Sequence, residues 1–99
     1  MNKNFKDNHL DVNIKRKLLA NGYKFQIYIP KTNHWTYSKI INGYKAQLKV
    51  YFTDEYGYMY SISCRYKQHH YEYSDDSLNI EIFEQYISKI TELFEKITE

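Results

Sequence analysis

The strongest constraint on the fold is a two-residue periodicity on both sides of one turn. Apolar and polar residues alternate over residues 44–53 and again over residues 58–67, with the sequence Asp-Glu-Tyr-Gly at residues 54–57 between them. Because successive side chains of a β-strand point to opposite faces, each half reads as a strand with one apolar row. The two halves therefore predict a long β-hairpin, in which Gly57 provides the positive φ of the turn.

The apolar pattern also sets the register of this hairpin. A four-residue loop would place Phe52 opposite Met59 and mix the two faces, whereas pairing Phe52 with Tyr58 keeps both apolar rows together. A shift of one residue moves every side chain to the other face, so the register is strongly specified. We predict that Phe52 pairs with Tyr58 and that the extra residue is absorbed as a bulge at Gly57.

The N-terminal part of the chain combines a helical pattern with a strand pattern. Apolar residues spaced by four predict a helix over residues 9–21, with Asn8 or Asp11 as its N-cap. Alternation then predicts a half-buried strand over residues 23–29. Residues 31–43 fit either a short strand or a loop folded back onto the core.

A second helical pattern follows the hairpin. From about residue 79 the sequence predicts a helix capped by Ser77 or Asn79, with an apolar stripe along one side. The stripe consists of Phe83, Tyr86, Ile87, Ile90, Leu93, Phe94 and Ile97. Two segments before it stay open: residues 68–76 either continue the hairpin strand or leave it in a bulged turn, and residues 78–82 also alternate as a short strand would.

This order of elements predicts an α+β fold with two layers. An antiparallel sheet of three or four strands has the N-terminal and C-terminal helices on one face, because the helix stripes and the apolar row of the sheet must bury each other. We expect residues 1–99 to form a single domain, since a chain of 99 residues supports one modest core.

The open face of the sheet is the candidate binding surface. If the helices cover the row Phe25, Ile27, Leu48, Val50, Phe52, Tyr60 and Ile62, the other face has five cations, two tyrosines and no acid. The predicted partner-binding residues on it are Lys24, Tyr28, Lys45, Lys49, Tyr51, Arg65 and Lys67. Such a face suits phosphates and stacked bases, and it suits an acidic protein surface equally well. A polar, lysine-bearing face is also common in antiparallel sheets that bind nothing.

The charged residues are also distributed unevenly along the chain, with the cations concentrated in its first half. Residues 1–50 contain ten Lys or Arg and two Asp, whereas residues 51–99 contain four Lys or Arg and ten Asp or Glu. This asymmetry indicates either a nucleic acid or acidic partner at the basic end, or two oppositely charged halves that help the domain close on itself.

The sequence offers little support for catalysis or for a metal or cofactor site. Cys64, His69 and His70 are close in sequence, but adjacent histidines of a strand point to opposite faces and no fourth ligand is specified. The alternation directs Cys64 into the core, where it is a poor nucleophile. Glycine-rich phosphate loops and the common metal-site motifs are absent from the sequence. We therefore expect a non-enzymatic protein without catalytic, metal or cofactor residues.

The chain also lacks signals for export or membrane insertion. A single cysteine allows no intramolecular disulfide, and no apolar run has the length of a membrane span or the position of a signal peptide. These features predict a cytoplasmic protein with no membrane partner.

Two resemblances to known families bear on function. The helix, three strands, helix order resembles the double-stranded-RNA-binding domain in topology. That family has lysines at the start of its last helix, where this chain has Asp75, Asp76, Glu81 and Glu84, and these acids would repel a phosphate backbone. As a short chain rich in Lys, Asn, Ile and Tyr without catalytic motifs, the sequence is also similar to small accessory proteins of phages and mobile elements, among them the anti-CRISPR proteins.

The second resemblance implies inhibition by occupation of a partner's surface. The leading hypothesis is therefore an interaction protein that binds and blocks or modulates a larger nucleic-acid-handling protein or ribonucleoprotein effector through the open sheet face. The alternative is a direct RNA- or DNA-binding module that uses the same face. The protein is expected to be a monomer, or a homodimer formed through the apolar stripe of the C-terminal helix.

Overall fold

The chain forms an α+β fold built around one antiparallel sheet. The structure, a computed structural model, describes residues 10–75 and 78–99. Within these residues the elements are α1 (Val12–Ala20), β1 (Lys24–Ile29), β2 (His34–Ile41), β3 (Tyr44–Thr53), β4 (Gly57–Tyr66), β5 (His69–Asp75) and α2 (Ile80–Ile97). The five strands lie in the order β1-β2-β3-β4-β5, so each strand pairs with its neighbour in sequence.

The predicted fold class is confirmed, and the strand number is corrected from three or four to five. The order α-β-β-β-β-β-α consequently departs from the order with three strands that characterises the double-stranded-RNA-binding domain.

The central hairpin has the register that its apolar pattern predicts. Phe52 pairs with Tyr58, and the next core pairs along the ladder are Val50 with Tyr60 and Leu48 with Ile62. Three turn residues, 54–56, connect the strands, and Gly57 follows them with a φ of +75°. Because residues with a side chain rarely adopt this conformation, glycine is needed at the end of the turn. The predicted bulge at Gly57 is wrong, because the ladder continues without a register shift to Thr53 opposite Gly57.

Two of the three segments that the sequence left open, residues 31–43 and 68–76, contain strands. Residues 34–41 become β2, which is paired along both edges. After β4, the two-residue turn Lys67-Gln68 reverses the chain, and residues 69–75 return alongside β4 as a separate strand. Lys67 takes a φ of +58° in this turn. Glycine or asparagine normally occupies such a position, so a turn at Lys67 could not be recognised from its residue type.

An irregularity in β1 changes the face of its later residues. Phe25 pairs with Tyr37, yet Ile27 pairs with Thr36, so the register shifts between them. A β-bulge of this kind inserts one extra residue and reverses the side-chain alternation beyond it. Ile27 and Tyr28 therefore lie on the faces opposite to those predicted from strict alternation, and both predictions are wrong.

The core lies between the two helices and the helix-covered face of the sheet. The strands contribute Trp35, Tyr37, Leu48, Val50, Tyr60, Ile62 and Cys64, and the helices contribute Ile14, Leu18, Phe83, Ile87 and Phe94. The predicted stripe of α2 is thus divided, because Phe83, Ile87 and Phe94 are buried while Tyr86 and Leu93 are exposed.

Each helix begins at a residue whose side chain accepts hydrogen bonds from the first turn. Asp11 Oδ1 accepts from the backbone N–H of Asn13 over 2.8 Å, and Asn79 Oδ1 accepts from that of Glu81 over 2.9 Å. Both residues were predicted as caps, and their alternatives, Asn8 and Ser77, lie outside the described residues. Residues 78–82, whose alternation also fitted a short strand, are helical from Ile80 onward, where α2 begins.

Replacing Tyr60 by alanine is expected to lower the free energy of unfolding by about 3 kcal/mol. Tyr60 is only 5% exposed, and its ring packs edge-to-face on that of Phe83 with 5.0 Å between the centroids. Tyr56→Ala removes the same side chain from the turn of the same hairpin, where it is 67% exposed. We expect this control to change stability by less than about 0.5 kcal/mol in urea unfolding. Equal effects of the two substitutions would contradict the hairpin's orientation.

Stability is expected to fall between pH 10 and pH 12. Burial raises the pKa of Tyr23 and of Tyr60 to about 12, whereas a tyrosine in the unfolded chain ionises at about 10. The stability that these neutral phenols contribute is complete below pH 10 and is lost as the pH rises towards 12. Urea unfolding at successive pH values measures the loss. Tyr23→Phe, which also removes the 2.9 Å hydrogen bond to Thr91, should make the decline shallower.

Candidate binding surface on the open sheet face

Cross-strand pairing collects cationic and aromatic side chains on the face of the sheet opposite the helices. In the middle of this face, Lys49 lies opposite Thr36 and Ser61, and Tyr51 lies between His34 and Met59. We call the surface the basic face and define it by Lys24, Ile27, Ile29, His34, Ile40, Lys45, Gln47, Lys49, Tyr51, Ser61, Ser63 and Arg65. Five of the seven predicted partner-binding residues lie on it: Lys24, Lys45, Lys49, Tyr51 and Arg65.

The other two predicted residues lie elsewhere. Tyr28 packs against Trp35 on the helix-covered side, with 5.0 Å between ring centroids, and its hydroxyl donates to Asn33 Oδ1 over 2.6 Å. Lys67 lies in the β4–β5 turn with Nζ 5.0 Å from the centroid of the Tyr66 ring. Because Tyr66 belongs to the same row as Cys64, Lys67 is directed away from the basic face.

The basic face is not free of acids, in contrast to the prediction. β5 places Glu72 beside Ser63, and Glu72 Oε1 lies 3.2 Å from His70 Nε2. This acid was missed because residues 69–75 were not recognised as a strand. Strands β1 to β4 contain no Asp or Glu, so the acid is confined to the β5 edge and the cations dominate the rest of the face.

His34 and Tyr51 form an aromatic pair near the β1–β2 turn. Their ring centroids are 4.6 Å apart with an interplanar angle of 32°. Thr32 Oγ1 is hydrogen-bonded to Nδ1 of the imidazole, which fixes the ring. Burial lowers the pKa of His34, and the positive charge of Lys49 lowers it further. The pair is therefore a neutral aromatic platform with a cation beside it.

Isoleucines interrupt the basic face on the side of β1. The bulge turns Ile27 onto it, where the residue is 51% exposed, and Ile40 is 64% exposed opposite Lys45. Ile27 and Ile29 line a shallow, open depression of about 670 Å³ together with Gln47 and Lys49. Sequence reasoning missed these apolar contributions because strict alternation places Ile27 in the core. His34 was also missed, although reading residues 34–41 as a strand with Trp35 and Tyr37 inside would have found it.

The chemistry available on this face is binding through charge, hydrogen bonds and apolar contact. Cys64 is buried beneath the sheet, and burial raises the pKa of its thiol. His69 and His70 pair with Tyr66 and Arg65 respectively and so point to opposite faces. In residues 10–75 and 78–99 no group of three or more His, Cys, Asp or Glu is arranged to hold a metal ion.

Comparison of the chain with protein-family models, curated proteins and solved structures gives no match. Within the part of the chain that the structure describes, neither helix is long and apolar enough to cross a membrane. The geometry of the basic face is therefore the basis of the functional argument.

Lys49→Gln is expected to raise the pKa of His34, because it removes the cation that lowers this pKa while the ring stays partly buried. NMR titration of the imidazole protons measures the change. Lys45→Gln, which removes a different cation from the same strand, should leave the pKa of His34 nearly unchanged. Indistinguishable titrations of the two variants would show that the Lys49 ammonium does not act on the imidazole.

Proposed function

We propose that this chain is a non-enzymatic interaction protein that docks its basic face on an acidic surface of a larger nucleic-acid-handling protein or ribonucleoprotein, and so blocks or modulates it. The observation that carries the proposal is the combination of cations with exposed isoleucines on one open face. Cations alone would suit any polyanion, whereas the added apolar groups favour a protein surface.

The charge distribution orients such a complex. Lys24, Lys45 and Arg65 are exposed on the basic face. On the other layer, α2 exposes four carboxylates, from Glu81, Glu84, Glu92 and Glu95. The helix layer also has cations, on α1 at residues 15–17 and on α2 at Lys89 and Lys96, so its charges are mixed. An acidic partner is therefore attracted more strongly to the sheet than to α2, which raises the rate of encounter in that orientation.

Apolar and aromatic groups supply the contacts that charge alone does not. Ile27 and Ile40 offer exposed apolar area, and Tyr51 is a large side chain already held by its packing on His34. A tyrosine that is ordered before binding loses little conformational entropy in the complex, which is why such residues often dominate interfaces. Tyr51 is the proposed anchor, with Lys49 beside it as its charged neighbour.

Direct binding of RNA or DNA is the second candidate function. It is favoured by the aromatic platform of His34 and Tyr51 next to Lys49, since bases stack on rings while lysines neutralise phosphates. Against it, a phosphate backbone laid across the face would meet Ile27, Ile40 and the carboxylate of Glu72, none of which binds phosphate.

Tyr51→Ala and Lys49→Glu are each expected to weaken partner binding at least about tenfold, which corresponds to about 1.4 kcal/mol. Both variants should unfold in urea at nearly the wild-type midpoint, because the two side chains lie on the open face. Lys89→Glu is the matched control, since it makes the same charge change on exposed α2 and should bind normally. The measurement is affinity capture from a bacterial lysate treated with nuclease, followed by titration of the captured partner.

Salt dependence separates the two candidate functions. Binding to short RNA and DNA, measured by fluorescence anisotropy at rising salt, should be absent or weak at all salt concentrations if the partner is a protein. Tight binding that falls steeply with salt, together with a capture that recovers only nucleic acid, would contradict the leading proposal and support the second. Loss of folding in Tyr51→Ala would instead show that the basic face is the buried one.

A further inference from the structure

We propose that a second copy of this chain adds to the sheet along β5, with the two β5 strands antiparallel and Tyr71 opposite Tyr71 of the second copy. Within the described part of the chain β5 is at one edge of the sheet, where it pairs with β4 alone. Among residues 10–75 and 78–99, the backbone of residues 69–74 forms no hydrogen bond to any element other than β4. This interface lies at the β5 edge, outside the residues that define the basic face, and does not depend on the proposed function.

The free edge presents a defined set of backbone groups. The two-residue turn is closed by Tyr66 and His69, and the closing pair of such a turn is hydrogen-bonded. Because bonded pairs alternate in an antiparallel ladder, the odd-numbered residues of β5 bond to β4. The N–H and C=O groups of His70, Glu72 and Ser74 therefore point outward, where another strand can bond to them.

The two edges of the sheet differ in how well they are protected against pairing. β1 contains a bulge, begins at Lys24 and is followed by Pro30, which are features that discourage another strand from adding. β5 pairs with β4 in regular register over all seven of its residues and contains no lysine, proline or bulge. An edge of this kind is open to strand addition.

Charge complementarity selects one register for two β5 strands. Only residues that both direct their backbone groups outward can form a bonded pair, so the even-numbered residues must face each other. When Tyr71 lies opposite its own copy, His70 pairs with Glu72 of the second copy, and the twofold axis repeats this pair. The neighbouring registers place Glu72 opposite Glu72 or His70 opposite His70. Hydrogen bonding between imidazole and carboxylate therefore favours the Tyr71-centred register.

An exposed apolar groove follows the same edge on the helix side. It lies between β5 and α2, has a volume of about 470 Å³ and is lined by Tyr73, Tyr86, Ile90 and Leu93, among others. Tyr73, Tyr86 and Leu93 are exposed. A strand added to β5 brings the second copy against this groove, so that strand pairing and burial of apolar area occur together. One arrangement of the second copy therefore pairs the free edge, places opposite charges across the axis and covers the groove.

Sedimentation equilibrium of the wild-type chain over a wide concentration range should show a monomer–dimer equilibrium. His70→Glu places the introduced carboxylate opposite Glu72 of the second copy, and the twofold axis repeats this repulsive pair. We expect the dimer dissociation constant to rise at least about tenfold. Within one chain the same change replaces the exposed contact between His70 and Glu72 by two neighbouring carboxylates. Because the new carboxylate also faces Arg65, folding should be retained. The double variant His70→Glu/Glu72→Lys restores opposite charges across the axis and should restore dimerisation.

Lys24→Glu is the matched control, because it reverses a charge at the β1 edge and should leave the dimer intact. A wild-type chain that stays monomeric at its highest soluble concentration overturns the proposal. A dimer that His70→Glu leaves unchanged, or that Lys24→Glu dissociates, also overturns it.

Cysteine cross-linking tests the register directly. In the proposed arrangement Tyr71 forms a non-bonded pair with its copy, for which Cα atoms are about 4.5 Å apart, a distance that a disulfide spans. Tyr71→Cys should therefore cross-link two chains on mild oxidation. The background is Cys64→Ala, because Cys64 lies directly opposite Tyr71 within the chain. Glu72→Cys in the same background should not cross-link, and efficient cross-linking through it instead would overturn the proposed register.

Discussion

Burial of one row of side chains in the central strands is the interaction on which the rest of the structure depends. Leu48, Val50 and Ile62 are fully buried and belong to one core cluster with residues of both helices. Since side chains of a strand alternate between faces, burying this row sends the intervening residues to the other side of the sheet. The core and the basic face are therefore two results of the same pattern, because the register that buries one row of side chains also selects the row on the open face.

The sequence predicted the structure correctly where a residue pattern was long and was compatible with one type of element alone. The register around Gly57 followed from two rows of alternating residues, and the helix starts at Asp11 and Asn79 followed from side chains that cap the first turn. The face on which Lys45, Lys49, Tyr51 and Arg65 lie followed for the same reason, since alternation within β3 and β4 determines it. In the strand preceding Pro30, only the residues before the bulge could be placed in this way.

The failures have local physical causes. The bulge in β1 is set by pairing with β2, and an alternating sequence such as that around Ile27 does not reveal it. β5 was not identified because its turn uses Lys67 at positive φ and because Tyr71 and Tyr73 are its main apolar residues. Both errors changed the predicted surface. The first moved an isoleucine onto it and a tyrosine away from it, and the second added Glu72 at its edge.

The order of the strands has a consequence for how the chain reaches this structure. Every strand pairs with the strand before or after it in sequence, so each hairpin closes only a short loop and costs little chain entropy. Topologies of this kind fold faster than sheets assembled from distant segments. A buried hydrogen bond between Tyr23 and Thr91 joins residues that are 68 positions apart in the chain. Docking of the two helices, rather than formation of the sheet, is therefore the step that closes the domain.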